Sequence, residues 1–401
     1  MKKNSMLKNV WDTSVEVEES NYYWKEKPKV NLGKTNNNPN YLHIDLFSGC
    51  GGFTEGFAQA GFSSAIAIDI HPPSLQTLQF NHPSTTTICG DIKKISSNLL
   101  KSHLPIIKCP VVITAGVPCQ GFSLSNRKRH SEDKRNYLFK EFIRMTKIIN
   151  PDAVILENVS GLVSTGNGKF KSAIAESIEN LGFEVFFKLL DASDYGVPQK
   201  RRRIFFVGIK KNKNWLFPSI KYGLGLNKHI TVGDAILGDL PNLKSDQEKT
   251  EYISKPKNNY QKYLRKDSKN LLNHKSPNHP DETILKIKNT KPGEPMYPKF
   301  KQRIRLNKNN LSPTQICGGI RPQFQFGHPT QARGLTIRER ARIQSFPDNF
   351  MFFGGIVQGR VQTGNAVPPL LAKELAIQLI NHFNGKKIVG IKAENYQKEL
   401  F

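Results

Sequence analysis

Short apolar runs alternate with segments of helical period between about residue 41 and residue 209. The first run, YLHIDLF, ends in the glycine-rich SGCGGFTEGF, which is typical of a buried parallel strand followed by a tight turn and a helix. PPSLQTLQFN (72–81) and YLFKEFIRMTKIIN (137–150) have helical character. The other strand-like runs are SAIAID (64–69), VVITAG (111–116), AVILEN (153–158), FEVFFKLL (183–190) and RIFFVGI (203–209). This alternation predicts a doubly wound α/β sheet.

The segments around this region are polar. Residues 1–39 form a loosely ordered arm in this interpretation, and residues 210–330 are rich in Lys, Asn and Pro, with only short strand candidates. Helical patterns return at LTIRERARIQSF (335–346) and PPLLAKELAIQLINHF (368–383). We therefore expect a main α/β domain from 40–214 plus 356–385, a small irregular or β domain at 215–355, and a polar tail at 386–401.

Composition narrows the class of partner. There are 59 Lys and Arg against 33 Asp and Glu, a formal charge of +26, which favours a polyanion such as nucleic acid. A Lys- and Asn-rich compositional bias is the alternative explanation. No apolar run of about 18 residues predicts a membrane span, and the N-terminus lacks a secretory pattern. The five cysteines show no CxxC pair or zinc spacing, so we expect no metal site and a cytoplasmic protein.

The segment DLFSGCGGFTEGF (45–57) is the first candidate ligand site. Its four glycines allow a sharp turn and close approach of a ligand to backbone N–H groups. Asp69 ends the next predicted strand and Asp91 follows a third, where a carboxylate can bind a ribose hydroxyl or an adenine amino group. Taken alone, the turn also fits a nicotinamide or flavin site, and either aspartate could cap a helix.

Three further segments carry side chains suited to catalysis. Cys119 in PCQGFS follows VVITAG, at the strand end where open α/β sheets bind ligands. Glu157 closes AVILEN, where partial burial suits a carboxyl group to donating a proton. Arg201 and Arg203 in QKRRR share one face and could bind a phosphate or a carbonyl oxygen. The alternatives are an inert thiol, an exposed glutamate and a solvated charge run.

In this order the motifs resemble those of the DNA cytosine-5 methyltransferases. The resemblance covers roughly residues 41–209 and 333–383, and it rests on DLFSGCGGF, PCQGFS, ENV, QKRRR, RGLTIRERARIQSFPD and GNAVPP. It implies a Rossmann-like, S-adenosylmethionine-dependent methyltransferase sheet with a small target-recognition domain. It also implies a bacterial or phage modification enzyme that makes 5-methylcytosine in a specific duplex DNA sequence.

The family resemblance also implies a set of cofactor contacts. Asp69 would hold the ribose of S-adenosylmethionine, and Asp91 with Ile92 would contact the adenine. Asn365 matches a position near the cofactor, so the C-terminal helix should return to pack beside the first strand. The remaining cofactor positions lie in the glycine turn and the nucleophile turn: Phe47, Gly49, Gly51 and Pro118.

The same resemblance implies covalent catalysis on an extruded base. The Cys119 thiolate would add to carbon 6 of cytosine, with Glu157 as the acid. Arg201 and Arg203 would hold the target cytosine and the active-site loop. Residues 123–137 are rich in Arg, Lys, Ser and Asn and directly follow the nucleophile turn, so we expect a mobile clasp on DNA, with an ordinary solvated loop as the alternative. Residues of about 215–332 would read the sequence. The expected DNA contacts are Gln199, Arg127, Arg129, Arg305 and Gln323.

Other functions are compatible with parts of the pattern. Methylation of a tRNA cytosine is one, although the Cys-Phe-Thr signature expected for that branch is absent from the recognition region. A non-catalytic DNA-binding relative is another, but Cys119 and Glu157 are both retained. A nicotinamide oxidoreductase would leave PCQ and QKRRR unexplained. We expect a monomer that acts on double-stranded DNA, with no membrane association and no stable complex with its cognate restriction endonuclease.

Overall fold

The computed structural model describes residues 27–34, 39–106, 108–118, 138–163, 168–210, 215–317 and 324–395. These residues divide into two compact units. The first comprises the described parts of Met1–Asp191, Arg202–Ile220 and Ala372–Phe401. The second comprises the described parts of Ala192–Arg201 and Lys221–Leu371.

A large sheet organises the first unit. Its strands are β1 (Lys29–Asn31), β2 (Leu42–Leu46), β3 (Ser63–Asp69), β4 (Thr86–Cys89), β5 (Val111–Gly116), β6 (Ala153–Val159), β7 (Glu184–Asp191), β8 (Arg202–Ile209) and β13 (Glu394–Asn395). Within the described residues they run in the order β1-β4-β3-β2-β5-β6-β8-β7-β13. Strands β4, β3, β2, β5 and β6 are parallel, whereas β8 is antiparallel to both neighbours. The predicted doubly wound α/β sheet is confirmed.

Helices cover the sheet and bury its apolar side chains. They are α1 (Gly52–Ala60), α2 (Pro72–Asn81), α3 (Ser97–Lys101), α4 (Leu138–Ile149), α5 (Lys169–Glu179) and α11 (Pro369–Phe383), of which the part from Ala372 belongs to this unit. The predicted apolar face of α4 is buried, since the side chains of Phe142 and Met145 are almost completely inaccessible to solvent. Such burial contributes roughly 1.5–3 kcal/mol for each large apolar side chain.

The end of α11 returns to the start of β2, as the sequence predicts. The hydroxyl of Tyr41, the residue before β2, donates to Asn384 Oδ1 at 2.6 Å. The ring of Tyr41 stacks on that of Phe383 with centroids 6.2 Å apart. A short pair of strands, β9 (Leu216–Pro218) and β12 (Gly390–Lys392), follows in the same unit.

The second unit is largely irregular, as expected, but short helices rather than strands supply most of its regular structure. In its described part these are α6 (Val232–Ile236), α7 (Asn259–Arg265), α8 (Asp281–Asn289), α9 (Ile337–Ile343) and α10 (Gly355–Asn365), beside the two-residue strands β10 (Ile304–Arg305) and β11 (Phe326–Gly327). Capping boxes at Thr231 and Thr336 explain how helices this short begin where they do. Periodicity is weak over helices of five to eleven residues, so the sequence shows only α9 clearly.

Buried ion pairs join parts of the second unit that lie far apart in sequence. The guanidinium of Arg342 donates to both carboxylate oxygens of Asp239 at 2.8 Å and to Asp348 Oδ2 at 2.6 Å. All three side chains are fully enclosed. Because a buried charge without a partner is costly, this cluster fixes how α9 packs against the preceding segments.

No helix in the described residues is long and apolar enough to cross a membrane.

Candidate active site

The glycine turn between β2 and α1 has the backbone conformation that its sequence predicts. Gly49 and Gly51 have φ values of 53° and 94°, and Phe47 also has a positive φ of 55°. A Cβ at Gly51 would lie 3.1 Å from the Leu78 side chain, so the turn needs glycine there for space as well as conformation. Ser48 Oγ is buried in the turn and has no hydrogen-bond partner among the described residues.

Asp69 connects this turn to the end of β3. Its Oδ2 accepts a hydrogen bond from the Gly49 backbone N–H, and its Oδ1 accepts one from the His71 N–H, both at 2.8 Å. The Asp69 carboxylate therefore stabilises the backbone on both sides of it, and this role does not depend on ligand binding. It also places an acidic group beside the glycine turn, where the sequence predicts the ribose contact.

Asp91 and Ile92 lie directly after β4, so they are at the carboxyl ends of the parallel strands, as Asp69 is. Both are buried, and Asp91 Oδ1 accepts a hydrogen bond from the Lys93 N–H at 3.0 Å. The neighbouring Gly90 N–H donates to the Asp69 carbonyl at 3.0 Å. The backbone thus joins the two acidic positions, and the capping role that the sequence left open for Asp91 is present.

Glu157 and Arg203 form an ion pair at the carboxyl end of β6. Arg203 Nε lies 3.0 Å from Glu157 Oε1, and both side chains are largely buried. Glu157 is paired in register with Gly116, the last residue of β5, and its Oε2 would lie 3.8 Å from a Cβ at that glycine. Cys119, three residues beyond Gly116, lies outside the described residues. The structure therefore brings the predicted acid and one predicted arginine together at the strand end that leads to the predicted nucleophile.

A buried chain of polar side chains lies beneath the glycine turn. Ser64 Oγ is 2.7 Å from His43 Nδ1, and His43 Nε2 is 2.8 Å from Thr114 Oγ1. Asp45 accepts hydrogen bonds from Thr114 Oγ1 and Thr54 Oγ1, each at 2.8 Å. These contacts connect β3, β2, β5 and the first turn of α1, so they hold the glycine turn against the strand that precedes Cys119.

Burial shifts the pKa values of two of these hydrogen-bonded side chains. Desolvation raises the pKa of Asp45 to about 7 and lowers the pKa of His43 to about 3. Sequence reasoning missed these residues as members of the site. The signal was available, because His43 and Asp45 are polar positions two residues apart inside an otherwise apolar strand.

Gln199 and Arg201 have partners inside the second unit. Arg201 donates to the carbonyl oxygens of Gln315 at 3.1 Å and Gly364 at 3.0 Å. Gln199 is fully buried, hydrogen-bonds the side chain of Gln344, and accepts from the Gln315 backbone N–H at 2.7 Å. These contacts position the segment before residue 318 and the GNAVPP turn. A direct contact of either side chain with DNA or the target base stays a prediction.

The other predicted positions are placed as follows. Arg305 donates to the carbonyl oxygens of Lys288, Thr290 and His328, so its guanidinium holds the end of α8. Asn365 is exposed at the end of α10, and Pro118 is exposed after β5. The remaining predicted DNA contacts, Arg127, Arg129 and Gln323, lie outside the described residues.

In the described ranges, no three His, Cys, Asp or Glu side chains are grouped so that they could hold a metal ion. The cysteines described there, Cys50, Cys89, Cys109 and Cys317, form no disulfide with one another.

Comparison with known proteins places the chain in a family. Residues 41–381 match the family model for C-5 cytosine-specific DNA methylase. The Type II methyltransferase M1.HphI of Haemophilus parahaemolyticus is 36% identical over 346 residues, covering 83% of this chain and 85% of that protein. The Type II methyltransferase M.DdeI of Desulfomicrobium norvegicum is 35% identical over 381 residues, covering 86% and 90%.

Solved structures agree with this assignment. An E. coli chain, described as a prophage-encoded DNA modification methyltransferase, matches with a TM-score of 0.71 and 25% identity, over 86% of this chain and 99% of that one. The S. pombe Dnmt2 methyltransferase shares the fold, with a TM-score of 0.56 at 15% identity over 85% and 98% of the two chains. The chain belongs to the C-5 cytosine-specific DNA methylases and is a DNA cytosine-5-methyltransferase of the restriction-modification type.

Proposed function

We propose that this enzyme methylates a cytosine extruded from a specific duplex DNA sequence, through a covalent bond between Cys119 and carbon 6 of the base. The observation that carries the proposal is the Glu157–Arg203 pair at 3.0 Å, at the end of the strands β5 and β6. An acid and a guanidinium held together at the strand end before Cys119 form a site that can bind two edges of one pyrimidine ring.

The residues around the glycine turn fit S-adenosylmethionine as the methyl donor. Backbone N–H groups at the start of α1 suit the carboxylate of its methionine part. Asp69 and Asp91 suit a ribose hydroxyl and an adenine amino group, and the buried Ser48 Oγ offers a further hydrogen-bonding group. When bound, the cofactor supplies an electrophilic methyl group on a sulfonium sulfur.

The proposed roles of the side chains follow from the weak nucleophilicity of carbon 5 of cytosine. Carbon 5 is a poor nucleophile until the sulfur of Cys119 forms a bond to carbon 6. Glu157, after its carboxyl group has taken up a proton from solvent, would donate to N3 and accept from the amino group, and Arg203 would bind O2, where negative charge develops. Carbon 5 would then bond to the methyl group through the electron pair that this addition displaced from the 5,6 double bond, and the cofactor would leave as the thioether S-adenosylhomocysteine. Loss of the carbon 5 proton to water restores that double bond and expels the Cys119 thiolate.

This reaction requires the base to leave the duplex, because its reacting carbons are enclosed by the stack. Extrusion costs a few kcal/mol, which contacts with DNA must offset. We assign the clasp on DNA to residues 123–137, which lie outside the described residues, and sequence reading to the region of about 215–332. The enzyme would act as a monomer in the bacterial cytoplasm and share its site with a restriction endonuclease without forming a stable complex.

The test is methyl transfer from labelled S-adenosylmethionine to unmethylated duplex DNA, with tRNA in a parallel reaction. Cys119→Ala should abolish transfer. Glu157→Gln should lower kcat by roughly 100-fold or more, because general acid catalysis contributes about 10²–10⁴-fold. Cys109→Ala is the matched control and should retain full activity, since that thiol is partly exposed and lies before the amino end of β5, whereas the proposed site lies at the carboxyl end.

Each alternative predicts a different result. Label in tRNA alone would move the substrate to RNA. DNA binding without any transfer would indicate a non-catalytic protein. Transfer that survives Cys119→Ala would contradict the covalent step. A DNA duplex carrying 5-fluorocytosine at the mapped site should trap the wild-type enzyme covalently, because fluorine cannot leave carbon 5 as a proton does.

A further inference from the structure

A short strand outside the family-matched region completes one edge of the sheet. The match begins at residue 41, whereas β1 covers Lys29–Asn31 and pairs antiparallel with β4. The register places Lys29 opposite Cys89 and Asn31 opposite Thr87. Without β1, the edge of this sheet would be β4, the strand that leads into Gly90 and Asp91.

Contacts on both sides of β1 extend this pairing to the whole of residues 27–34, which we term the edge strap. The Gly33 N–H donates to Thr86 Oγ1 and the Lys34 N–H donates to the Pro83 carbonyl, both at 3.1 Å. Asn31 Nδ2 donates to the side chain of Gln79 in α2. Backbone and side-chain bonds therefore hold the edge strap along the full length of β4.

The N-terminal end of the edge strap lies against the predicted adenine site. A Cβ built on Gly90 would be 3.0 Å from the Pro28 Cα, so these two backbones are in close contact. Gly90 has a φ of 158° and donates to the Asp69 carbonyl at 3.0 Å. Pro28 therefore packs against Gly90, the residue that precedes Asp91 and hydrogen-bonds the Asp69 carbonyl.

We propose that the edge strap is a positioning segment for the cofactor, holding Gly90 and Asp91 in the conformation that binds the adenosine part of S-adenosylmethionine. The inference rests on the proposed function, in which Asp69 and Asp91 contact that cofactor. An unpaired edge strand has half of its backbone groups in solvent, so the loop after it samples more conformations. Pairing with β1 removes those alternatives before the cofactor arrives, which lowers the entropy lost on binding.

Gly33 provides a way to detach the edge strap without touching the cofactor site. A Cβ at this position would lie 2.3 Å from the Ser84 carbonyl oxygen, a distance that only a shift of the backbone can relieve. The substitution Gly33→Val should therefore separate the edge strap from β4. Leu32→Ala is the matched control, because the neighbouring Leu32 side chain is 69% exposed.

The experiment compares the full-length wild type, Gly33→Val and Leu32→Ala. Isothermal titration would measure the Kd for S-adenosylmethionine, and steady-state assays would measure kcat and both KM values. Gly33→Val is expected to raise the cofactor Kd and KM at least tenfold. Its kcat at saturating cofactor and its KM for DNA should stay within about twofold, and Leu32→Ala should match the wild type.

An unchanged cofactor Kd in Gly33→Val would overturn the inference. So would a parallel loss of cofactor and DNA affinity with a lowered Tm, since that pattern describes a general loss of fold. If Gly33→Val does not fold, Asn31→Ala decides, because it removes only the bond to Gln79 and should still raise the cofactor Kd. A wild type that fails to bind S-adenosylmethionine would instead refute the proposed function.

Discussion

At the scale of single residues, His43 and Asp45 make opposite contributions to the dependence of stability on pH. The pKa of Asp45 is raised to about 7, so the folded state binds its proton more tightly than the unfolded state does. That contribution is complete below about pH 4 and is lost as pH rises to about 7. The pKa of His43 is lowered to about 3, so its contribution is present above about pH 6.5 and is lost as pH falls. Between about pH 4 and pH 6.5 the two changes offset each other.

Replacing either His43 or Asp45 should reveal the pH dependence of stability that the other residue contributes. Relative to the wild type, His43→Gln should lose unfolding free energy as pH rises from 4.5 to 6.5, because only the Asp45 contribution remains. Asp45→Asn should gain it over the same range. The slopes approach roughly 1.4 kcal/mol per pH unit for one proton. Urea unfolding at several pH values measures them, and slopes parallel to the wild type in both variants would show that neither group titrates as described.

Residues also show where sequence reasoning succeeds and where it stops. Glu157 and Arg203 were each predicted as site residues from their own motifs, and the structure shows that adjoining strands bring the two together. The partners of Arg201 were not, because Gln315 and Gly364 lie 114 and 163 residues further along the chain. A local pattern can show that a guanidinium is present, but it cannot show which carbonyl oxygens will accept its hydrogen bonds.

At the scale of elements, the packing of α9 on α10 depends on a glycine. A Cβ at Gly359 would lie 2.8–2.9 Å from three carbon atoms of the Ile337 side chain. Gly359→Ala should therefore destabilise the second unit by about 1–3 kcal/mol, although alanine favours a helix by about 1 kcal/mol in an unhindered position.

A second substitution tests the cause of this loss. Ile337→Ala removes the atoms that the new methyl group would meet, so the double variant should be more stable than the sum of the two single changes predicts. Thermal unfolding of the wild type, both single variants and the double variant provides this comparison. Strict additivity would place the origin of the effect elsewhere than in this contact.

Elements with continuous apolar runs were predicted nearly to the residue, and the short ones were not. The interior strands β2, β5 and β6 are buried on both faces, so their sequences are mainly apolar. The polar side chains of His43, Asp45 and Thr114 are buried there because they take part in hydrogen bonds. Strands β1 and β13 have three and two residues and exist only because an edge of the sheet offers them hydrogen bonds. No pattern in so few residues indicates pairing with a distant partner.

At the scale of the whole molecule, the formal charge of +26 predicts how affinity for DNA depends on salt. Each phosphate neutralised by Lys or Arg releases counterions, with a slope of about −0.9 in log K against log salt. We expect the association constant for duplex DNA to fall at least about 100-fold between 50 and 200 mM salt, which corresponds to roughly four or more phosphates.

The cofactor provides the internal control for this measurement. Binding of S-adenosylmethionine involves no polyanion, so its Kd should change by less than about threefold over the same salt range. Fluorescence anisotropy with a labelled duplex and calorimetry with the cofactor measure the two constants. A DNA affinity that is insensitive to salt would mean that the excess of basic residues serves a purpose other than contact with phosphates.

The positions of β1 and β13 also determine when the sheet can be finished during protein synthesis. The ribosome makes β1 first, but this strand must wait for β4 before it can pair. The opposite edge, β7, gains its partner only after residues 394–395 have been made. From the completion of β8 until almost the end of translation, the nascent chain therefore carries an open β7 edge. A ribosome that stalls between residues 210 and 393 would leave a nearly complete sheet whose edge strand β7 has unpaired backbone N–H and C=O groups. Chaperones or a second nascent chain could bind to that edge.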